Sequence, residues 1–141
     1  MKLKVKKLNP SAKLPEYAHD TDAGMDLFAL NEYIIHPGEI VRIETGIAIE
    51  LPKGYAALIW DKGSIAMIHG LKVLGGVGDC GYTGDYTVGL INLSKKTFKI
   101  EKHSKVAQLL IQKVEHPEII EVNKIVAGKR GTNRFGSTGK K

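Results

Sequence analysis

The chain has 141 residues, 43% hydrophobic and 26% charged, with 21 Lys+Arg against 15 Asp+Glu for a formal net charge of +6. Those values are those of one soluble globular domain large enough for a core. The single cysteine, Cys80, excludes an intrachain disulfide and points to a reducing, cytoplasmic setting. The charged N-terminus Met1–Lys7 lacks the apolar run of a secretory signal, and no stretch approaches bilayer-spanning length, so no membrane partner is expected.

Apolar alternation predicts strands along most of the chain. Leu3, Val5 and Leu8 open in that rhythm, followed by Tyr33 to Ile35, Ile40 to Ile49, Tyr55 to Trp60 and Leu71 to Leu74. Tyr86 to Leu93, Thr97 to Ile100, Lys105 to Val114 and Ile119 to Val122 continue it. Pro37-Gly38, Pro52-Lys53-Gly54, Gly75-Gly76 and His116-Pro117 punctuate the runs as turns. Many short strands with such turns predict an all-β barrel or sandwich. Ser64 to His69 is the one predicted helix, with Ser64 as its cap and Ile65, Met67 and Ile68 as core. Residues 1–122 read as a single β domain, and 123–141 as a basic C-terminal arm.

That arm holds the charge asymmetry. From Asn123 onward there are six basic residues and no acidic one, so the body carries fifteen of each sign and the arm the whole excess. A neutral body with a cationic arm suits an anionic partner. The body shows neither a basic stripe nor a basic amphipathic helix, so stable nucleic-acid binding is not expected. Within Arg130-Gly131-Thr132-Asn133-Arg134-Phe135-Gly136-Ser137-Thr138-Gly139, one aromatic stands among glycines, hydroxyls and cations. Such a segment cannot bury enough apolar surface to offset its ordering entropy, so it is expected to be mobile until a ligand orders it. Phe135 offers a face for a base and Arg130 a fork for phosphate.

Four further segments are too polar or glycine-rich for simple connections. His19 to Leu27 carries Asp20, Asp22 and Asp26; such carboxylates can hold Mg²⁺, directly or through its waters, or cap a solvated turn. Asp61-Lys62-Gly63-Ser64 precedes the predicted helix and reads either as a phosphate cradle or as a capping turn. Gly75 to Asp85 places five glycines in eleven residues, with Asp79 as a potential general base and Tyr82 three residues on as a packing face for a sugar or base; a tight hairpin fits the glycines equally well. Lys105 to Leu110 reads as core strand, with Gln108 facing a ligand or a neighbouring strand. The five histidines are scattered without zinc spacing.

Taken in order, these segments resemble the five motifs of the trimeric dUTPases. Ala23-Gly24-Met25-Asp26-Leu27 matches the first, Lys62-Gly63-Ser64-Ile65-Ala66 the second and Gly75 through Gly84 the third. Val106-Ala107-Gln108-Leu109 matches the fourth, and Arg130-Gly131 with Phe135-Gly136-Ser137-Thr138-Gly139 the fifth. The resemblance implies a dUTPase-like β-barrel, a distorted jelly roll, that assembles as a homotrimer with shared sites and splits dUTP into dUMP and pyrophosphate with Mg²⁺. It implies that Asp79 activates the attacking water and Tyr82 packs on the deoxyribose. The backbone around Gly76 and Thr87 would read the uracil edge, while Lys62, Gly63, Ser64 and Gln108 take up phosphate from another subunit. Asp26 would hold the waters of a metal carried mainly by the triphosphate. Arg130, Phe135, Gly136 and Ser137 would close over the nucleotide.

The chain departs from the family pattern at four places. Lys62-Gly63-Ser64 stands for the common Arg-Ser-Gly, and Lys lacks the bidentate fork of Arg. Thr83 stands where Arg is frequent and Arg134 where glycine is. Gly78 replaces an aliphatic residue before Asp79, which is expected to loosen that aspartate. Two rival readings remain at this level: a nucleotide-sensing protein of the same fold, and a dCTP deaminase. The deaminases carry a glutamate ten residues after the aspartate, where this chain has Gly89.

Overall fold

The computed structural model describes residues 1–126 together with Gly128 and Gly131. Among them are eleven strands and one short helix: β1 (Lys4–Lys7), β2 (Met25–Phe28), β3 (Tyr33–Ile35), β4 (Ile40–Ile43), β5 (Ile47–Glu50), β6 (Tyr55–Asp61), α1 (Gly63–His69), β7 (Leu71–Leu74), β8 (Val77–Gly78), β9 (Val88–Asn92), β10 (Phe98–Ile100) and β11 (Lys105–Lys113). The all-β expectation with one short helix holds.

The strands form four antiparallel sheets ordered β2-β11-β6-β8, β4-β9-β7, β1-β5 and β3-β10. Their ladders do not join into one hydrogen-bonded barrel. The sheets instead wrap a common apolar core, to which Leu27, Ile35, Ile43, Ile49, Leu71, Leu90, Ile100 and Leu109 bring side chains from all four. The predicted run Ile40 to Ile49 is two strands, because the chain turns at Gly46 (φ 70°) between them.

Three expectations are corrected. Ile119 to Val122 forms no strand: it follows Pro117, pairs with no strand among the described residues, and leaves Ile119, Ile120 and Val122 exposed. Ser64 does not cap the helix, since Lys62 occupies the N-cap with extended backbone and no side-chain cap. Met67 and Ile68 are surface residues, 87% and 75% exposed, because the seven-residue helix lies on the outside and only Ile65 packs on the core.

One irregularity positions polar chemistry. In β11 the register against β2 shifts between Lys105 and Ala107, a β-bulge. Strict alternation would put Lys105 on the same face as Ala107 and Leu109, inside the core. The extra residue, Val106, is buried, and Lys105 is turned to the outer face instead, opposite Phe28 and beside Asp26.

Candidate active site

A hollow of about 250 Å³ opens between β6 and the glycine-rich segment that follows β7. Gly76, Asp79, Tyr82 and Thr87, four predicted site residues, line it together with Ile59, Val77, Gly78, Asp85 and Tyr86. The near edge is fixed by the backbone: Ile59 N–H donates to the Gly76 carbonyl at 2.7 Å. At Gly76 (φ 108°) a Cβ would stand 2.5 Å from the Ile59 carbonyl oxygen, so only glycine permits this approach.

Asp79 is exposed at the mouth, at the start of a turn that Tyr82 N–H closes onto the Asp79 carbonyl at 3.2 Å. The Tyr82 ring is half-exposed, its hydroxyl donates to the Asp85 carbonyl at 3.0 Å, and its edge meets Tyr86 with centroids 5.5 Å apart. Tyr82 is thus a fixed platform with a free face. Asp85 anchors the far end of the segment: its Oδ1 accepts the backbone N–H groups of Gly46 at 3.0 Å and Ile47 at 3.3 Å, with the buried Thr45 hydroxyl 3.1 Å away. Sequence reading passed over Asp85, whose role depends on the distant β4–β5 turn.

The residue before Asp79 is closely packed. Gly78 pairs with Ala57 on β6, and a Cβ on Gly78 would meet Tyr86 Cε1 at 2.7 Å and Ala57 Cβ at 3.2 Å. The Tyr86 ring, 3% exposed, occupies the room an aliphatic side chain at residue 78 would need. Burial raises the Tyr86 phenol pKa above its ordinary value, reinforced by Tyr82, Asp79 and Cys80 nearby. Its hydroxyl oxygen is buried and has no hydrogen-bond partner among the described residues.

A second group sits on the outer face of the large sheet, where Asp26, Gln108 and Trp60 lie in one cross-strand row. Asp26 is 2% exposed; its Oδ1 meets Lys62 Nζ at 2.8 Å and its Oδ2 meets Lys105 Nζ at 2.7 Å. Burial pushes the Asp26 pKa upward, but the hydrogen bonds and charges of Lys105 and Lys62 outweigh it and hold the carboxyl below its ordinary value. The Asp26 carboxylate raises Lys105 in turn. Lys105 was read only as the start of a strand; the bulge that delivers it to Asp26 leaves no mark in the hydrophobic pattern. Gly63 and Ser64 are exposed on the first turn of α1.

No three His, Cys, Asp or Glu side chains among the described residues are grouped to hold a metal ion. Asp26 gives one lone pair of each oxygen to a lysine and keeps others. That donor set fits water held around a cation already bound by phosphate oxygens, and it does not build a protein cage.

The structure therefore brings the predicted residues together as two groups: Gly76, Asp79, Tyr82 and Thr87 around the hollow, and Asp26, Lys62 and Gln108 on the sheet face. None of Asp26, Lys62, Ser64 or Gln108 lines the hollow. Arg130, Phe135, Gly136 and Ser137, with most of the predicted arm, lie outside the described residues. A larger hollow of about 390 Å³ over β1, β5 and Thr83 contains no predicted site residue.

The dUTPase family model matches residues 10–139 of the chain. The chain is 48% identical over 141 residues to the deoxyuridine 5'-triphosphate nucleotidohydrolase of Alkaliphilus metalliredigens, covering 99% of this chain and 98% of that protein. It is 46% identical over 140 residues to the nucleotidohydrolase of the same name from Clostridium tetani, covering 98% and 97%. The fold is similar to Staphylococcus bacteriophage 80alpha dUTPase with dUPNHPP, at a TM-score of 0.91, 28% identity and 98% coverage of both chains. It is also similar to a mutant dUTPase from phage phi11 of S. aureus in which the coordination of a structural Mg(II) ion is seen, at a TM-score of 0.84 and 26% identity, covering 89% of this chain and 99% of that one.

Proposed function

The chain belongs to the dUTPase family, and from that membership we propose that it cleaves dUTP to dUMP and pyrophosphate with Asp79 activating the attacking water. It is an enzyme, a dUTP diphosphatase of nucleotide metabolism. The observation that carries the assignment of the site is the hollow that gathers Gly76, Asp79, Tyr82 and Thr87.

The chemistry follows from that arrangement. Water attacks the α-phosphorus, the new P–O bond forms as the bond to the bridging oxygen breaks, and Asp79 takes the water's proton. No cationic side chain lines the hollow among the described residues. The Tyr82 face takes the deoxyribose and leaves no room for a 2′-hydroxyl. The Gly76 carbonyl and the Thr87 N–H already have partners within the chain, at 2.7 and 3.0 Å, which leaves the Gly76 N–H and the Thr87 carbonyl to read the base edge. A base with the wrong pattern would strand buried polar groups, at about 1–3 kcal/mol each.

Mg²⁺ is the proposed cofactor, carried by the triphosphate, with Asp26 holding its waters; when bound it offsets charge on the phosphate oxygens. Lys62, Gly63, Ser64 and Gln108 take up phosphate. Residues 123–141 act as a basic arm, with Arg130, Phe135, Gly136 and Ser137 closing over the nucleotide.

The proposed assembly is a homotrimer with shared sites. Two features support it: the predicted phosphate-binding residues stand apart from the hollow, and an apolar surface remains uncovered, including Trp60, Met67, Ile68, Ile119, Ile120, Ile125 and Val126. No helix among the described residues is long and apolar enough to cross a membrane. The proposed location is the cytoplasm, which the lone free thiol of Cys80 suits. Deamination is disfavoured at residue 89, where glycine supplies no carboxylate.

The test is the purified chain with Mg²⁺ and, separately, dUTP, dCTP, dTTP and UTP, with products resolved by chromatography. Pyrophosphate and dUMP from dUTP alone is the expected result. Asp79→Asn is expected to lower kcat by at least about 100-fold while a non-hydrolysable dUTP analogue still binds within a few-fold of wild type. Normal turnover by that variant would remove Asp79 from its role.

A further inference from the structure

The Tyr86 hydroxyl is a buried donor with nothing to donate to among the described residues. Leaving such a group unpaired is costly, and a native structure that keeps one usually has a use for it. Phenylalanine would fill the same space beside Gly78 and Ala57 without that cost. The ring's position narrows the use. A Cβ on Gly78, the residue immediately before Asp79, would stand 2.7 Å from the ring's Cε1 and 3.2 Å from its Cζ. The phenol tip therefore lies under the segment that carries the proposed base, and Tyr86 is part of the wall of the same hollow.

Among the described residues, the hollow leaves few other side-chain donors for Asp79. The titratable groups about the phenol are Asp79, Cys80, Tyr82 and Asp85, none of them cationic. The Tyr82 hydroxyl is committed to the Asp85 carbonyl, the Cys80 thiol to the Leu51 carbonyl at 3.4 Å, and Asp85 to the β4–β5 turn. A carboxylate that must take a proton from one water works best when its other oxygen is held, as a base is oriented by a third group in other hydrolytic sites.

We propose that Tyr86 is a positioning residue for Asp79: when substrate fills the hollow, its hydroxyl donates to one carboxylate oxygen and leaves the other aimed at the water. The Gly78–Tyr86 pair thus restores in a polar form the support that an aliphatic residue before the aspartate would give. The inference rests on Asp79 being the base.

The test is Tyr86→Phe, which keeps the ring and removes only the hydroxyl, assayed beside wild type and Asp79→Asn. A hydrogen bond to an ionised group favours the charged form, so its loss should raise the acidic pKa of the kcat profile, which reports the substrate complex, by about one unit. The expected kcat loss is about ten- to a hundredfold, with KM within about twofold and the melting temperature unchanged or raised. A group that only filled space would move neither the acidic limb nor kcat. A Gly78→Ile/Tyr86→Val double variant, which exchanges the pair for two aliphatic residues, should fold and regain most of the kcat that Tyr86→Phe loses, because residue 78 then gives the aliphatic support. Wild-type kcat and pH profile in Tyr86→Phe, or a folded double variant no more active than Tyr86→Phe, would overturn the inference while an inactive Asp79→Asn leaves the base assignment standing. Normal turnover by Asp79→Asn would overturn both.

Discussion

Asp26 is a buried charge with two cationic partners. A carboxylate 2% exposed between two ammonium groups is stable only while it is ionised and both partners remain. Because its folded pKa lies below its ordinary value of 3.8, its contribution is fully present above that pH and is lost as pH falls through the folded pKa. Asp61 acts in the same direction: burial raises its pKa, but Lys72 at 2.8 Å and the Val73 N–H at 2.7 Å outweigh that and lower it. The melting temperature should therefore fall below about pH 4. In Asp26→Asn that acid-dependent fall should be shallower, and stability at neutral pH lower by about 2 kcal/mol, less than for a fully buried pair because Lys62 and Lys105 keep partial contact with water. Thermal melts across pH 2–7 would check both.

At the scale of elements, the strands with regular alternation were legible and the irregular pieces were not. Leu71–Leu74 and Tyr33–Ile35 appear where the pattern put them, because one face of each is buried. Val77–Gly78, only two residues long, is too short to show a period, and the bulge in β11 breaks the rule on which such reading depends. Asn92 was invisible for another reason: within an apolar strand it reads as a surface residue, yet it is fully buried. Its amide donates to the carbonyls of Ile35 at 2.9 Å and Lys96 at 2.8 Å, and its oxygen accepts from the Ser94 N–H at 2.9 Å. It ties β9 to β3 and to the turn before β10. Asn92→Ala strands these groups and should cost about 1–3 kcal/mol in denaturant unfolding, with the unfolding slope unchanged.

For the whole molecule, the residues of the site were legible because motifs survive as short strings, whereas their division into two groups is a matter of topology. Asp79 follows β8 and Asp26 sits on β2, at opposite edges of the same four-stranded sheet. If the two groups complete one site only across neighbouring copies, the active unit is an oligomer. Asp79→Asn and a chain with both Ser64→Ala and Gln108→Ala should each be nearly inactive alone. Refolded together in equal amounts, they should recover roughly a quarter of wild-type activity if each site draws on two adjacent subunits of a closed ring. Activity no greater than that of the two preparations apart would place each site within one chain. Light scattering on the same samples would give the mass of the assembly.

The tight fit between Gly78 and Tyr86 has a historical consequence. With Tyr86 in place, any side chain at residue 78 begins with a Cβ 2.7 Å from the ring, while shrinking Tyr86 first opens a void under the active segment. Each single step back toward the family's aliphatic residue passes through a damaged intermediate, although the double change restores the packing. The pair is an evolutionary ratchet: a lineage that has acquired both residues is expected to keep both, and descendants should inherit them together or lose them together.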